Sequence, residues 1–167
     1  VNRISRAITA GEFSLEEAYR QLKVIDENNG TYSPTLLILV AALASGCFSI
    51  MFGGAWDDFL PAAIAGGLGF MAMLVFERII DIRFLAEFFG AFIIGLSSIF
   101  FLNYGFGQSL DKVIIGAVMP LVPGLPITNA VRDLMAGHLI SGLSKGVEAL
   151  LTAFAIGAGV ALTFGLN

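Results

Sequence analysis

Hydrophobic and polar positions divide the chain into a polar first part and a longer part that is mostly apolar. Residues 1–33 are largely polar, whereas residues 34–167 contain five apolar stretches separated by short polar turns. The five stretches are residues 34–53, 59–76, 84–102, 113–126 and 146–166. Backbone inside a bilayer must satisfy its own hydrogen bonds, so each stretch predicts a helix. The pattern therefore predicts an all-α integral membrane protein with about five transmembrane helices.

The polar first part is expected to hold one short amphipathic helix on the cytoplasmic side. Apolar residues recur at helical spacing from Leu15 to Ile25, ahead of the Asn-Asn-Gly sequence at 28–30, which is expected to end the helix. Ser14 and Glu17 form a capping-box pattern, in which Ser14 accepts the N–H of Glu17 and Glu17 reaches back.

Composition strengthens the membrane prediction and excludes several classes of protein. The chain is 57% hydrophobic and 13% charged, with a mean hydropathy of +0.87. Soluble domains usually carry about 25% charged residues. One cysteine, Cys47, rules out a disulfide framework, and one His with one Cys cannot form a zinc site. We expect no metal, no cofactor, no nucleic-acid partner and, without a convergent nucleophile and base, no enzyme.

The basic residues predict the orientation of the chain in the membrane. If residues 1–33 are cytoplasmic and each stretch crosses once, Lys112 is the only one of the nine Lys and Arg residues outside. This asymmetry follows the positive-inside rule. It predicts a bacterial plasma (inner) membrane protein with a cytoplasmic N-terminus and an outer C-terminus, in which stretch 113–126 either crosses or is re-entrant. Because the chain starts with Val1 instead of Met, we expect it to be part of a longer polypeptide.

Three prolines and a glycine interrupt the fourth stretch, at Pro120, Pro123, Gly124 and Pro126. Each proline removes a backbone N–H and clashes with the preceding turn of a helix. Broken backbone at membrane depth is tolerated where it lies inside protein or lines a wet cavity, and transporters bind substrates at such breaks. We interpret the break as a substrate site. The alternative is an ordinary helix end with a proline-rich loop at the cytoplasmic surface.

The residues after the break supply candidate ligands for a small polar substrate. Thr128 or Asn129 is expected to cap a helix that continues to about Ile140, and its positive end would hold a carboxylate. Asn129 and Arg132 are predicted to bind that carboxylate, and Asp133 to take a proton or bind an ammonium group. The alternative is a solvated pair of interfacial charges.

Glu87 and Glu148 are the acidic residues closest to the membrane interior. A charge at the centre of a membrane helix costs about 2.5–3.5 kcal/mol on insertion scales, so such residues usually have a partner or a role. Together with Asp133, they are our candidates for proton coupling. The alternative is a pair of helix-surface ion pairs, with Arg83 four residues before Glu87 and Lys145 three residues before Glu148.

Small residues recur at four-residue spacing in the second and fifth stretches. They are Ala62 and Gly66, Ala65 and Gly69, and the series Ala153, Gly157 and Ala161. Such faces allow helices to approach closely, either within this chain or against another chain. Because five helices make a small transporter, we expect a homo-oligomer or a second small membrane subunit.

The sequence around the break resembles the threonine/serine exporter family. Three segments carry the resemblance. The first is Pro120-x-x-Pro123-Gly124-x-Pro126-x-x-Asn129-x-x-Arg132-Asp133, followed by Gly137 and Ser141-Gly142. The others are residues 11–18, ahead of the first apolar stretch, and residues 145–150, at the start of the last one. The resemblance implies efflux of threonine and serine across the bacterial plasma membrane, coupled to the proton gradient.

Two further functions remain open at this point. Related members of that family resemble one half of a two-component exporter for dicarboxylates such as succinate, in which a second small membrane protein supplies further helices. The third possibility is a scaffold subunit that does not itself transport.

Overall fold

The computed structural model describes residues 2–11, 14–27, 32–80 and 82–166. In these ranges the chain forms eight α-helices and one short 3-10 turn, and no β-strand. The prediction of an all-α fold is confirmed. The chain divides into two compact units, Val1–Ser33 and Pro34–Asn167.

The first unit contains two helices, α1 (Asn2–Thr9) and α2 (Leu15–Glu27), of which only the second was predicted. The Ser14 hydroxyl accepts the backbone N–H of Glu17 at 3.2 Å, as the capping pattern predicts. The carboxylate of Glu17 does not reach back. It accepts hydrogen bonds from Arg20 and Gln21 instead, and the bond from Arg20 lowers the pKa of Glu17 below its ordinary value. The predicted helix stop at 28–30 lies outside the described residues.

The second unit, hereafter the membrane unit, holds the remaining six helices. They are α3 (Pro34–Met51), α4 (Trp56–Ile80), α5 (Arg83–Asn103), α6 (Leu110–Val118), α7 (Gly124–Met135) and α8 (Leu139–Gly165), with the 3-10 turn at Met119–Leu121. Helices α3, α4, α5 and α8 are each long and apolar enough to cross a membrane. The segment from α6 to α7, bent by 60°, makes a fifth candidate span, so the chain is a multi-pass membrane protein.

Helix α4 lies against α3, α5 and α6, and its small residues allow the close approach. Gly66 faces Ser45 of α3, and Gly69 faces Ile94 of α5, with so little room that a Cβ atom on either glycine would overlap its neighbour. Ala65 and Ile94 are fully buried in the centre of the bundle. In a bilayer the hydrophobic effect does not hold helices together, so this tight contact supplies much of the stabilisation.

Helix α8 packs beside α5 through a different face from the one that the spacing suggests. Gly159 lies against the backbone of Phe88, and Thr163 against Gly95, so the two helices run in the same direction. The predicted small-residue series of Ala153, Gly157 and Ala161 lies on an exposed face of α8, where no other helix among the described residues covers it. Gly157 and Gly159 lie on different sides of the helix, and spacing alone does not indicate which of them packs.

The helix after the break begins earlier and ends earlier than expected. The prediction that Thr128 or Asn129 caps it is wrong, because α7 starts at Gly124 with Pro123 at the N-cap. Pro126 is the third residue of the helix, where the backbone N–H has no partner within the helix and a proline costs little. The helix ends at Met135 instead of Ile140, shortly before Gly137, whose φ is positive.

Candidate functional site

The break between α6 and α7 opens a cavity at one end of the membrane unit. Its volume is about 320 Å³, near the lower end of the range for small-molecule sites. The wall is formed by the last turns of α4, the first turns of α5 and the break itself. The lining residues are Met73, Glu77, Arg83, Ala86, Glu87 and the seven residues from Pro120 to Pro126.

The prolines create this wall because each lies where a helix is starting or ending. Pro120 lies in the 3-10 turn, and Pro123 is the N-cap residue of α7. Between them Val122 is extended, with φ −61° and ψ 129°. The chain turns by 60° at this point. Neither Pro120 nor Pro123 lies in the interior of a regular α-helix, which a proline would disrupt. All four predicted residues of the break, Pro120, Pro123, Gly124 and Pro126, line the cavity.

One guanidinium group links two carboxylates at the cavity. Arg83 Nε donates to Glu87 Oε1 at 3.1 Å, and Arg83 Nη1 donates to Glu148 Oε1 at 3.0 Å. The first pair joins adjacent turns of α5, and the second joins α5 to α8. The alternative pairing of Glu148 with Lys145 is wrong, since Lys145 bonds to Asp133.

Glu87 is the most unusual of the charged residues on the wall. It is 3% exposed, and its Oε2 atom is buried without a hydrogen-bond partner among the described residues. A buried carboxylate oxygen without a donor costs on the order of 1–3 kcal/mol, and more when it is ionised. An unpaired buried polar atom of this kind calls for an explanation, such as a donor supplied by a ligand.

The three predicted residues of α7 lie away from the cavity wall. Asn129 and Arg132 are exposed. Asp133 Oδ2 accepts hydrogen bonds from Lys145 Nζ at 2.6 Å and from Ser141 Oγ at 2.7 Å. These bonds tie α7 to the first turns of α8.

Sequence reasoning missed two of the charged wall residues. Glu77 follows the predicted apolar stretch 59–76 and belongs to the last turns of α4, and Arg83 was considered only as a partner of Glu87. Glu77 lies near the end of α4, and Arg83 is the first residue of α5. Their closeness to the break depends on how α4 and α5 pack against it, and the sequence alone holds no signal for that packing.

A second buried carboxylate, Asp58, lies at the opposite end of the membrane unit. It is fully buried near the start of α4. Its Oδ2 accepts the N–H of Ala55 at 2.9 Å, and its Oδ1 accepts the N–H groups of Gln108 and Ser109, the latter at 3.0 Å. Ser109 is the N-cap residue of α6, so Asp58 holds the start of α6 against the start of α4.

Comparison with known protein families now places the chain. The family model ThrE, described as "Putative threonine/serine exporter", matches residues 1–167. The chain belongs to the threonine/serine exporter family. The resemblance seen in the break motif is therefore confirmed, and the family is one of transporters.

Three relatives are identical to this chain at between a quarter and a third of the aligned positions. "Probable succinate transporter subunit YjjP" of Klebsiella aerogenes is 29% identical over 89% of this chain and 57% of its own length. The protein of the same name from Escherichia coli is 30% identical over 79% of this chain and 53% of its own length. "Threonine/serine exporter" of Corynebacterium glutamicum is 26% identical over 100% of this chain and 35% of its own length.

The chain thus spans between about a third and somewhat over half of these exporters and transporter subunits. No solved structure matches the chain. The relatives' names indicate two classes of substrate, small hydroxy amino acids and a dicarboxylate.

Proposed function

We propose that the chain forms the substrate-carrying part of a secondary exporter for threonine and serine in the bacterial plasma membrane, driven by the proton gradient. The observation that carries the proposal is the cavity at the helix break. Two helices long enough to cross a membrane, α4 and α5, form its wall together with the break, and charged side chains of both signs, Arg83, Glu77 and Glu87, lie on that wall. Charged side chains within membrane-spanning segments usually mark a substrate or proton pathway.

The wall offers partners for each polar group of a zwitterionic amino acid. Arg83 is the only cationic residue among the described residues that line the cavity, and its guanidinium suits a carboxylate. Glu77 and Glu87 suit an ammonium group. The N-terminus of α7 starts at the wall, and the dipole of this helix adds positive potential for the same carboxylate.

The balance of charges favours an amino acid over a dicarboxylate. Arg83 is already shared by Glu87 and Glu148, and Glu77 adds a third carboxylate to the group. A dicarboxylate would bring two more negative charges to a site that holds one cation. A zwitterion brings no net charge, and its ammonium group neutralises one of the carboxylates that are present.

The distribution of basic residues supports a cavity that opens to the cytoplasm. Arg78 and Arg83 lie at the cavity end of α4 and α5, whereas Lys112 lies beside Gly54 at the other end. By the positive-inside rule the cavity end faces the cytoplasm. An exporter loads its substrate from that side.

A second candidate function is one subunit of a dicarboxylate exporter. Two of the relatives are named as succinate transporter subunits, and the word subunit suggests a partner that contributes further helices. A third candidate, a scaffold that does not transport, would require the break to be a dry interface.

Efflux from cells that express the complete protein separates these functions. Cells are loaded with labelled threonine, serine or succinate, with and without a co-expressed small membrane protein and with and without an uncoupler. We expect uncoupler-sensitive loss of threonine and serine. Loss of succinate alone would support the dicarboxylate function, and no loss of any substrate from cells with protein in the membrane would support the scaffold.

The wetness of the cavity can be tested by cysteine labelling in a Cys47→Ala background. Leu125 lines the cavity and is 78% exposed, and Leu150 on the outer face of α8 is 70% exposed. We expect a water-soluble thiol reagent to modify the Leu125→Cys variant but not the Leu150→Cys variant, which lipid would cover. Equal protection of both cysteines would contradict a water-filled site.

A further inference from the structure

We infer that the Oε2 atom of Glu87 is the single acceptor for which the substrate's ammonium group and a proton compete. This inference rests on the proposed function and specifies how one atom couples the two movements. It also names Arg83 as the residue that keeps Glu87 in position for both ligands.

The hydrogen bonds of the acidic residues separate Glu87 from the other candidates. Asp133 is held by Lys145 and Ser141, at 2.6 and 2.7 Å, and does not line the cavity. Glu148 is paired with Arg83 and its side chain is 46% exposed, so water can solvate its charge. Glu77 is exposed. Glu87 alone combines a place on the wall, burial and an oxygen without a donor.

The charged groups around Glu87 come from three helices. Helix α4 contributes Glu77, α5 contributes Arg83, and α8 contributes Glu148. The break contributes no charged residue, since its wall segment from Pro120 to Pro126 is uncharged. Glu87 therefore has one cation bound to Oε1, while Oε2 faces surroundings that supply no donor. Either a proton or an ammonium group would complete its coordination.

Because the proton and the ammonium group compete for one atom, the protein exchanges a proton for an amino acid instead of carrying both in the same direction. In the loaded state Glu87 is ionised, Oε2 accepts a hydrogen bond from the substrate's ammonium group, and free N–H groups of Arg83 bind its carboxylate. When a proton from the outer side binds Oε2, an O–H bond forms and the carboxyl group becomes neutral. The neutral group no longer attracts the ammonium, so the amino acid leaves. On the inner side the proton passes to water, and the next amino acid replaces it.

The mechanism predicts one proton inward for each amino acid outward. Because the amino acid carries no net charge, each cycle moves one positive charge into the cell. An inside-negative membrane potential should therefore accelerate export even when the pH is equal on both sides.

Equilibrium binding of labelled threonine to the purified full-length protein tests the shared acceptor. For the wild type we expect apparent affinity to fall with acidification, by up to about tenfold per pH unit once the proton occupies the site. Glu87→Gln should bind threonine at least about tenfold more weakly, and its residual affinity should not depend on pH. A Glu87→Gln protein that keeps the wild-type pH dependence would overturn the inference.

Two variants and one ligand complete the design. Asp133→Asn, outside the cavity, should keep both the wild-type affinity and its pH dependence. Glu87→Asp keeps a titratable group on a shorter side chain and should keep proton competition with a displaced pH profile. An unchanged profile in Glu87→Asp would count against Glu87, and this result decides the matter if Glu87→Gln does not reach the membrane. N-acetylthreonine, which lacks the ammonium group, should bind weakly and show no proton competition.

Failure of the inference can be distinguished from failure of the proposed function. If the wild-type protein neither binds nor exports an amino acid, the proposed function is wrong. If the wild type exports threonine with proton coupling and Glu87→Gln behaves in the same way, the function stands and the assignment to Glu87 is wrong.

Discussion

Two buried carboxylates lie at opposite ends of the membrane unit, and they differ in their hydrogen bonds. Asp58 is fully buried and accepts three backbone N–H groups, one from its own helix start and two from the turn before α6. Glu87 is 3% exposed, has one donor, and keeps one oxygen without a partner. Backbone donors cannot move away without moving the chain, so Asp58 is suited to holding structure. An unsatisfied oxygen is suited to binding something that comes and goes.

The backbone around each carboxylate differs in the same sense. Gly107, with φ +97°, lies next to Asp58, and a Cβ atom there would come within 3.1 Å of Asp58 Oδ1. At the cavity end, a Cβ atom on Gly124 would meet no atom within 4 Å. The backbone at Gly107, beside Asp58, is therefore tightly fitted, whereas the backbone at Gly124, beside the cavity, has free space next to it. We therefore expect the start of α6 to stay fixed while the chain near the break adjusts to substrate.

The largest effect on stability is expected for Asp58→Ala. Three backbone N–H groups would lose their acceptor, at about 1 kcal/mol or more each, so we expect a loss of about 3 kcal/mol. Thermal unfolding of the detergent-purified protein measures it. Asp58→Asn, which keeps one acceptor oxygen, should lose about half as much. An Asp58→Ala protein as stable as the wild type would contradict the structural role of Asp58.

A smaller but clear contrast is expected between two glycine substitutions. Gly107→Ala forces a side chain into positive φ and against Asp58, and should cost about 1–3 kcal/mol. Gly124→Ala places a better helix former at the first position of α7 in open space and should leave stability unchanged or raise it by up to about 1 kcal/mol. The two melting temperatures, measured side by side, test whether only the Asp58 end is tightly packed. Equal losses would show that the cavity end is packed as tightly.

The sequence was sufficient to predict the helical membrane fold, because long apolar stretches in a bilayer have few alternatives to a helix. It also located the break, since the prolines at 120, 123 and 126 cannot continue a regular helix. It placed the start of the next helix too late, because Pro126 was treated as a breaker. A proline in the first turn of a helix gives up no hydrogen bond, and spacing alone does not reveal this position.

The partners of the charged residues could be predicted only where they are neighbours in sequence. Arg83 and Glu87 are four residues apart on α5, and their pair was foreseen as one alternative. The pairs of Arg83 with Glu148 and of Asp133 with Lys145 join different helices. The contacts of Asp58 also bridge about 50 positions along the chain. Such contacts depend on the rotation of each helix, which a pattern of apolar and polar positions leaves undetermined in a bundle that is apolar on most sides.

A minor effect is expected when only the side chain of Gln108, in the turn before α6, is altered. Gln108 donates its backbone N–H to Asp58, whereas its side chain makes an exposed hydrogen bond to Asp57 at 2.8 Å. Gln108→Ala removes the exposed bond and keeps the buried one. We expect the free energy of unfolding to fall by less than about 0.5 kcal/mol, as is usual for surface positions. A loss comparable to that of Asp58→Ala would show that the side chain, and not the backbone, holds the turn.

A small effect on stability is also expected at Glu87→Gln, the substitution for which we expect the largest effect on coupling. The glutamine keeps an acceptor for Arg83 Nε and exchanges a chargeable oxygen without a donor for a neutral amide nitrogen. Because the wild-type residue already leaves one polar atom unsatisfied, the substitution loses no hydrogen bond and should change stability by less than about 1 kcal/mol. Thermal unfolding of the variant beside Asp58→Asn compares the same chemical change at both ends. A larger loss at Glu87 than at Asp58 would mean that Glu87 holds the fold, and its unpartnered oxygen would then need another explanation.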